Sequence, residues 1–352
     1  MHDERPNFAT PSRKAEHIRI NVEHDVAAKG IDPGFDAYRF VHRALPEVDL
    51  TQVDSSVEIF GRRLAAPLLI SCMTGGTPEA RGINRSLASV AQERGLAMGL
   101  GSGRALLESP ESAETFEVRS LAPDILLFAN IGAVQLNKGY GTAECRRLVE
   151  LLGADALVLH LNPLQEALQP EGDVCFAGLL AKIAALCAGL PFPVVVKEVG
   201  WGINAAEVCA LFDAGVAAVD VAGAGGTSWS EVERHRIAEP WRARVAAAFA
   251  GWGTPTAQAI AGAREVERDK TLIASGGIRN GIDAAKALAL GADLVGIAGP
   301  FLRAAAESSK AASDLAGELV ETIRIAMFCV GARTPADLRT GDRLVRVEAV
   351  RS

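Results

Sequence analysis

The sequence predicts an α/β protein, a closed (β/α)8 TIM barrel with a short N-terminal extension. Three observations predict it. Short apolar runs recur eight times, and each ends in glycine or polar residues. Between them lie segments such as "AECRRLVELLG" and "AAEVCALFDAG", whose apolar residues recur three and four apart, the period of a helix buried on one face. Gly153, Gly215 and Gly291 follow such segments, where a left-handed residue closes a helix. A doubly wound open sheet is the alternative. Eight regular units with polar residues at every strand end favour closure.

The elements follow in order. Residues 1–66 form the extension. Its first 16 residues are polar and expected to be mobile, and "VDSSVEIFGRRLAAP" (53–67) reads as a short hairpin. The barrel occupies 67–340. Its strand runs are "PLLISCMTGG" (67–76), "GLAMGLGSGR" (95–104), "ILLFANIGA" (125–133) and "DALVLHLNPL" (155–164). The later four are "FPVVVKEVG" (192–200), "AAVDVAGAGG" (217–226), "TLIASGGIR" (271–279) and "DLVGIAGPF" (293–301). Between the sixth and seventh lie 44 residues (227–270) with Trp229, Trp241 and Trp252, enough to include a lid. Residues 341–352 form a C-terminal tail.

Composition narrows the function. The net charge is −7 and no long Lys/Arg block occurs, which argues against nucleic acid as a partner. An anionic substrate then needs a local cationic pocket. No apolar run approaches the ~18 residues of a membrane span. The polar start "MHDERPNFAT" does not resemble a signal peptide, and the six cysteines form no CxxC pair. The expectation is a cytoplasmic protein.

Several strand ends carry candidate chemistry. "SGGIRNG" (275–281) and "IAGPF" (297–301) close the seventh and eighth strands, where barrels commonly hold a phosphate on backbone N–H groups. Gly225, Gly226 and Thr227 end the sixth. Two tight turns without a ligand are the plainer reading. Lys197 ends the fifth strand, where it can sit beside a flavin ring, form a Schiff base or simply reach solvent. Thr74, Ser102 and Asn130 end the first three strands and can hydrogen-bond a planar heteroaromatic ring. Together with the phosphate site they point to a mononucleotide cofactor, FMN above all.

"HLNPLQE" (160–166) follows the fourth strand run. Pro163 disfavours helix at Asn162, so the strand ends there. His160 and Asn162 share a strand face, which in a barrel is the interior. Gln165 and Glu166 then begin the loop on the catalytic face. A carboxylate beside an amide suits Mg²⁺, which takes oxygen ligands and keeps waters and substrate phosphates. A satisfied core histidine and a dipole-favouring first helical turn are the plainer alternatives. Upstream, "SRKAEHIRI" (12–20) gathers Arg13, Lys14 and His17 into a basic cluster, a solvated tail or a clamp on an anionic substrate.

These motifs resemble the type 2, FMN-dependent isopentenyl-diphosphate isomerases. The resemblance runs from "RKAEH" (13–17) to "GARTPADLR" (331–339) and is carried by "MTGG" (73–76), "HLNPLQE", "KEVGWGI" (197–203), "AGAGGTSW" (222–229) and "ASGGIRNG" (274–281). It implies conversion of isopentenyl diphosphate to dimethylallyl diphosphate with reduced FMN and Mg²⁺, NADPH as reductant, and tetramers or octamers. It implies that Arg13 and Lys14, with His17, Ser102 and Arg104, hold the substrate diphosphate. Met73, Thr74, Ser102, Asn130, Lys197 and Thr227 are implied to hold FMN, with Gly277, Ile278, Arg279, Ala298 and Gly299. Gln165 is implied to contact the substrate, Glu166 to bind Mg²⁺, and His160 and Asn162 to line the same pocket. Two positions depart from the pattern: Gly103 stands where a bulkier residue, usually Gln, is expected to contact substrate, and Cys72 stands where Ala is common.

Two other readings need residues this chain lacks at the sixth strand end. A 2-hydroxy-acid oxidase wants a His base and an Arg clamp after the sixth strand, where "AGAGGTSW" stands. A dehydrogenase of the inosine-monophosphate type wants a catalytic Cys there, and none occurs between 220 and 240. A non-catalytic flavin-binding barrel is the reading from a different class. An allylic isomerisation needs an acid, a base and tolerance of cationic charge, but no protein nucleophile; reduced flavin can supply the proton-transfer group, and the expected catalytic residues His160, Asn162 and Gln165 position it and the substrate.

Overall fold

The computed structural model describes residues 9–347. Eight strands close a parallel barrel, each hydrogen-bonded to the next in the chain and the eighth to the first. They are β1 (Leu68–Ile70), β2 (Ala97–Gly99), β3 (Leu127–Gly132), β4 (Ala156–Leu161), β5 (Val194–Glu198), β6 (Ala218–Asp220), β7 (Thr271–Ala274) and β8 (Leu294–Ile297). Helices alternate with the strands around the outside, as the sequence predicts. Gly153 is left-handed (φ 56°) and closes Thr142–Leu152.

Strand alternation builds the barrel interior. Leu69, Phe128, Val158, Val195, Ala218, Ile273 and Leu294 form one buried apolar cluster. The hairpin Val57–Ile59 and Arg62–Leu64 closes the cluster from below, with Phe60 edge-on to Phe128 at 6.3 Å. Phe128→Ala at this plug costs about 3–5 kcal/mol. Two residues further along each of these seven strands, on the same face, stand Ser71, Asn130, His160, Lys197, Asp220, Ser275 and Gly296. The apolar plug therefore ends in a polar ring. Within that ring His160, Lys197 and Asp220 are consecutive register partners across β4, β5 and β6.

The N-terminal segment departs from the mobile chain expected of it. Ala9–Glu23 is a helix. Ile20 and Val26 bury against Val232, with Trp229 beside them. The chain after the helix is stitched to the loop after β6, Ala28 N to Gly226 O and Ser228 N to Val26 O, both 2.8 Å. Residues 1–8, also expected to be mobile, lie outside the described residues. The long insertion 227–270 folds as three helices, Trp229–Arg236, Pro240–Ala247 and Thr256–Val266. Its first helix, with Ala9–Glu23, walls the barrel mouth. Leu344–Arg346, within the expected tail, pairs antiparallel with Tyr38–Phe40. Among the described residues, no helix is long and apolar enough to cross a membrane.

Candidate active site

A cavity of about 610 Å³ opens at the C-terminal ends of the strands. The strand ends contribute Met73 and Thr74 (after β1), Ser102 and Arg104 (after β2), Asn130 (β3), and His160 and Asn162 (β4 and its end). Lys197 comes from β5 and Thr227 from the loop after β6. Gly277, Ile278 and Arg279 follow β7, and Ala298 and Gly299 follow β8. Gln165 and Glu166 lie on the short helix Pro163–Leu168, where a loop was expected, and Arg13, Lys14 and His17 reach in from the N-terminal helix. Every candidate residue named from the sequence therefore lines one cavity.

One wall is made of backbone. A Cβ on Gly226 meets Gly277 N at 2.4 Å, and one on Gly276 meets Gly223 O at 2.0 Å. The loops after β6 and β7 pack so closely that only glycine fits. In front of Gly299, at the start of helix Gly299–Glu307, an added Cβ lies 3.4 Å from Arg303 Nη1 and 3.6 Å from Thr227 Oγ1. A guanidinium and a hydroxyl thus face one spot at a helix N-terminus, a fit for a phosphate. Arg279 is engaged elsewhere: its Nε donates to Asp283 Oδ2 at 3.0 Å and its Nη2 lies 3.6 Å from Asp36. The buried hydroxyl of Ser71 has no protein partner and lines the same cavity as Lys197. This cradle fits the phosphate and ring of a mononucleotide.

The opposite wall is a hydrogen-bonded web. His160 Nδ1 and Asn130 Oδ1 are 2.9 Å apart. With the amide oxygen as acceptor, the ring proton sits on Nδ1 and Nε2 keeps its lone pair. Burial, then the charges of Lys197 and Lys14, push the His160 pKa down to about 3, so the ring is neutral near pH 7. Asn162 Nδ2 donates to Gln165 Oε1 at 3.2 Å and to Glu166 Oε1 at 2.8 Å. Glu166 Oε2 accepts from Asp173 N at 2.7 Å.

Sequence reasoning missed the centre of this web. Glu233 is fully buried. Its Oε1 accepts from Gln165 Nε2 (3.1 Å) and Gln169 Nε2 (2.8 Å) and lies 3.0 Å from His17 Nε2. Its Oε2 accepts from Arg236 Nη1 at 2.6 Å. Burial opposes the charge, yet His17, Arg236 and Gln165 together hold this carboxyl down at about 2. His17 therefore meets Glu233 and also Trp229, edge-on at 5.1 Å.

The cationic corner lies alongside. Lys14 Nζ donates to Ser102 O at 3.0 Å and stands over the Phe116 ring at 5.6 Å. Burial, then Arg104 and Arg13, lower its pKa to about 8. Arg13 donates to Gln169 Oε1 at 3.0 Å, and Arg104 Nε lies 3.3 Å from Glu108. Gly103 corrects one expectation. A Cβ there points at Leu148 Cδ1, 2.5 Å away, so this position faces a helix and not the cavity.

Among the described residues, no group of three or more His, Cys, Asp or Glu is placed to hold a metal. Glu166 offers one carboxylate, and Asn162 Oδ1 is a buried oxygen without a partner. This set fits a hard cation that keeps its waters and takes further ligands from a phosphate.

Fold and site together define a mononucleotide-binding barrel of the FMN-dependent dehydrogenase family, whose sequence model matches residues 9–114 and 173–345. Solved structures agree on the fold: mandelate oxidase with (S)-2-phenylpropionate (TM-score 0.65, 20% identity, 95% of this chain and 96% of that one) and a flavocytochrome b2 variant with pyruvate bound (TM-score 0.69, 19% identity, 94% and 82%). Within that class the chain belongs to the isopentenyl-diphosphate delta-isomerase family. It is 52% identical to the enzyme so named from Nostoc sp. (strain PCC 7120 / SAG 25.82 / UTEX 2576), over 96% of this chain and 97% of that one. The same name is carried by a 52% identical relative from Stutzerimonas stutzeri (strain A1501), over 96% and 98%. The dehydrogenase match leaves out 115–172, the stretch that holds His160, Asn162, Gln165 and Glu166.

Proposed function

We propose that this protein converts isopentenyl diphosphate to dimethylallyl diphosphate, with reduced FMN and Mg²⁺ bound and NADPH as the reductant. One observation carries the reading. The four polar side chains of 160–166 face a cavity with cationic residues at one end and a phosphate cradle at the other, and relatives about half identical are named for this isomerisation. A redox enzyme's His base and Arg clamp have no counterpart among the cavity-lining residues that follow β6, which are Ala222, Gly225, Gly226, Thr227 and Trp229.

The residues divide the work. Arg13, Lys14 and Arg104 hold the diphosphate, with Ser102 between them. Glu166 and Asn162 Oδ1 serve Mg²⁺ on that diphosphate. Gly277, Ile278, Ala298, Gly299, Thr227 and Arg303 hold the FMN phosphate, and Arg279 contributes through its backbone. Met73, Thr74, Ser102, Asn130 and Lys197 hold the ring. Reduced FMN supplies a proton-transfer group and an electron-rich face that tolerates positive charge. Neutral His160 offers Nε2 as an acceptor. Gln165, pinned by Asn162 and Glu233, fixes the substrate's reacting end, and Trp229 with the N-terminal helix excludes water. Tetramers or octamers form part of this reading, supported by the exposed Trp241, Val245 and Trp252 on the insertion. Anaerobic incubation with isopentenyl diphosphate, FMN, NADPH and Mg²⁺ tests the function. Dimethylallyl diphosphate is expected only with all components present, and its absence from the complete mixture contradicts the reading.

A further inference from the structure

Asp220 has no part in the chemistry above. It sits at the end of β6, fully buried, in the polar ring of the barrel. Its Oδ1 accepts from Ser275 Oγ at 2.7 Å and from Ala222 N at 3.2 Å. Its Oδ2 is the only buried carboxylate oxygen without a hydrogen-bond partner among the described residues. A half-satisfied buried carboxylate is costly unless a cation lies nearby.

The register supplies that cation. Asp220 is the β6 partner of Lys197, so both side chains leave the barrel wall on the same face, one strand apart. Lys197 has His160 as its partner on the other side, and Asp220 has Ile273. Of the other titratable neighbours, His160 is neutral near pH 7 and burial pushes the Cys72 thiol up to about 12, while burial raises the Glu198 carboxyl to about 7, against the pull of its own loop N–H groups and of Lys197. Glu198 spends its Oε2 on the N–H groups of Val199 and Gly200. Lys197 donates to Glu198 O at 2.6 Å, a neutral acceptor. Burial raises the Asp220 pKa, while Lys197 and the Ser275 hydroxyl oppose the rise.

We propose that Asp220 is the internal counter-charge of Lys197, and that this pairing limits how far bound reduced flavin is driven into its anionic form. The proposal rests on the FMN reading above. A lone ammonium beside a flavin favours the anion by direct attraction. An ammonium with a carboxylate behind it presents a dipole, whose field falls off faster. Asp220 acts through Lys197 and is therefore a positioning residue.

A double-mutant cycle tests it with two readouts. The first is the melting temperature of wild-type, Asp220→Asn, Lys197→Met and double-variant protein, all without flavin. If the two charges are paired, Asp220→Asn strands an ammonium, and the double variant melts above it. Folding of the double variant where Asp220→Asn fails to fold counts as the same result. The second readout is the absorbance of FMN bound to wild-type and Asp220→Asn protein, reduced anaerobically and titrated with pH. The anionic-to-neutral ratio at fixed pH is expected to rise about tenfold in Asp220→Asn, one pKa unit. Additive losses in the cycle, a double variant as unfolded as Asp220→Asn, or an unchanged flavin ratio overturns the proposal. Wild-type protein that takes up no FMN refutes the FMN reading itself, while the flavin-free cycle still decides whether the charges are paired.

Discussion

Gln165 donates its amide to Glu233 Oε1 at 3.1 Å, across 68 residues of chain. The same oxygen meets His17, so one buried carboxylate ties the helix after β4 to the N-terminal helix. Glu233→Gln keeps the shape but turns an amide N–H toward donors. Each hydrogen bond to a charged group contributes roughly 1.5–3 kcal/mol, so kcat/KM is expected to fall at least about tenfold. Flavin affinity, measured by fluorescence titration of the apoprotein, is expected to stay near wild type. Loss of flavin in step with activity would place Glu233 in general folding instead.

Lys14 gives the site a pH limit. Its pKa of about 8 lies below the ordinary lysine value because burial and two arginines disfavour its charge. The cation is present below that pH and lost above it. The kcat/KM for a diphosphate substrate is therefore expected to decline as pH rises through about 8, while kcat, which reports the bound complex, declines at higher pH. Lys14→Arg removes this limb, because guanidinium does not titrate there. A profile identical in both proteins points to another group.

The proposed Mg²⁺ site has few protein donors. Glu166→Gln replaces one acceptor oxygen of a carboxylate that serves both Asn162 and Asp173. The Mg²⁺ concentration for half-maximal activity is expected to rise about tenfold or more, while flavin stays bound. Unchanged Mg²⁺ dependence assigns the metal to other ligands.

Arg303 and Arg279 can be separated by a ligand pair that differs only in a phosphate. Arg303→Ala is expected to weaken FMN by roughly 1.5–3 kcal/mol and riboflavin hardly at all. Arg279→Ala is expected to do less, because its guanidinium already pairs with Asp283. Binding titrations of both flavins decide it. Equal loss for FMN and riboflavin in Arg303→Ala removes Arg303 from the phosphate.

The legibility of this site follows from where each residue lies. Asn130, His160 and Lys197 were readable because each interrupts an apolar strand near its end, and a closed barrel turns every strand end toward one face. The Lys14 cluster was readable only through the motif, since nothing local shows that Ala9–Glu23 packs as a helix over the mouth. Glu233 was invisible for a different reason. "SEVERHR" looks like a solvated charged helix, and its burial comes from contacts with residues 17, 165 and 169 far away in sequence. Arg303 hid on a helix one turn beyond Gly299. Asp220 did leave a signal, a single carboxylate within "AAVDVAG", which an apolar strand does not carry without a partner.

The proposed isomerisation requires reduced flavin yet is redox-neutral overall, since substrate and product have the same formula. Its most direct test counts electrons. Enzyme with oxidised FMN and Mg²⁺ is given isopentenyl diphosphate anaerobically, with NADPH limited to one equivalent of flavin, and both NADPH and dimethylallyl diphosphate are followed. No product is expected before reduction, then many product molecules per NADPH consumed. One NADPH per product, or full activity with oxidised flavin, would contradict it.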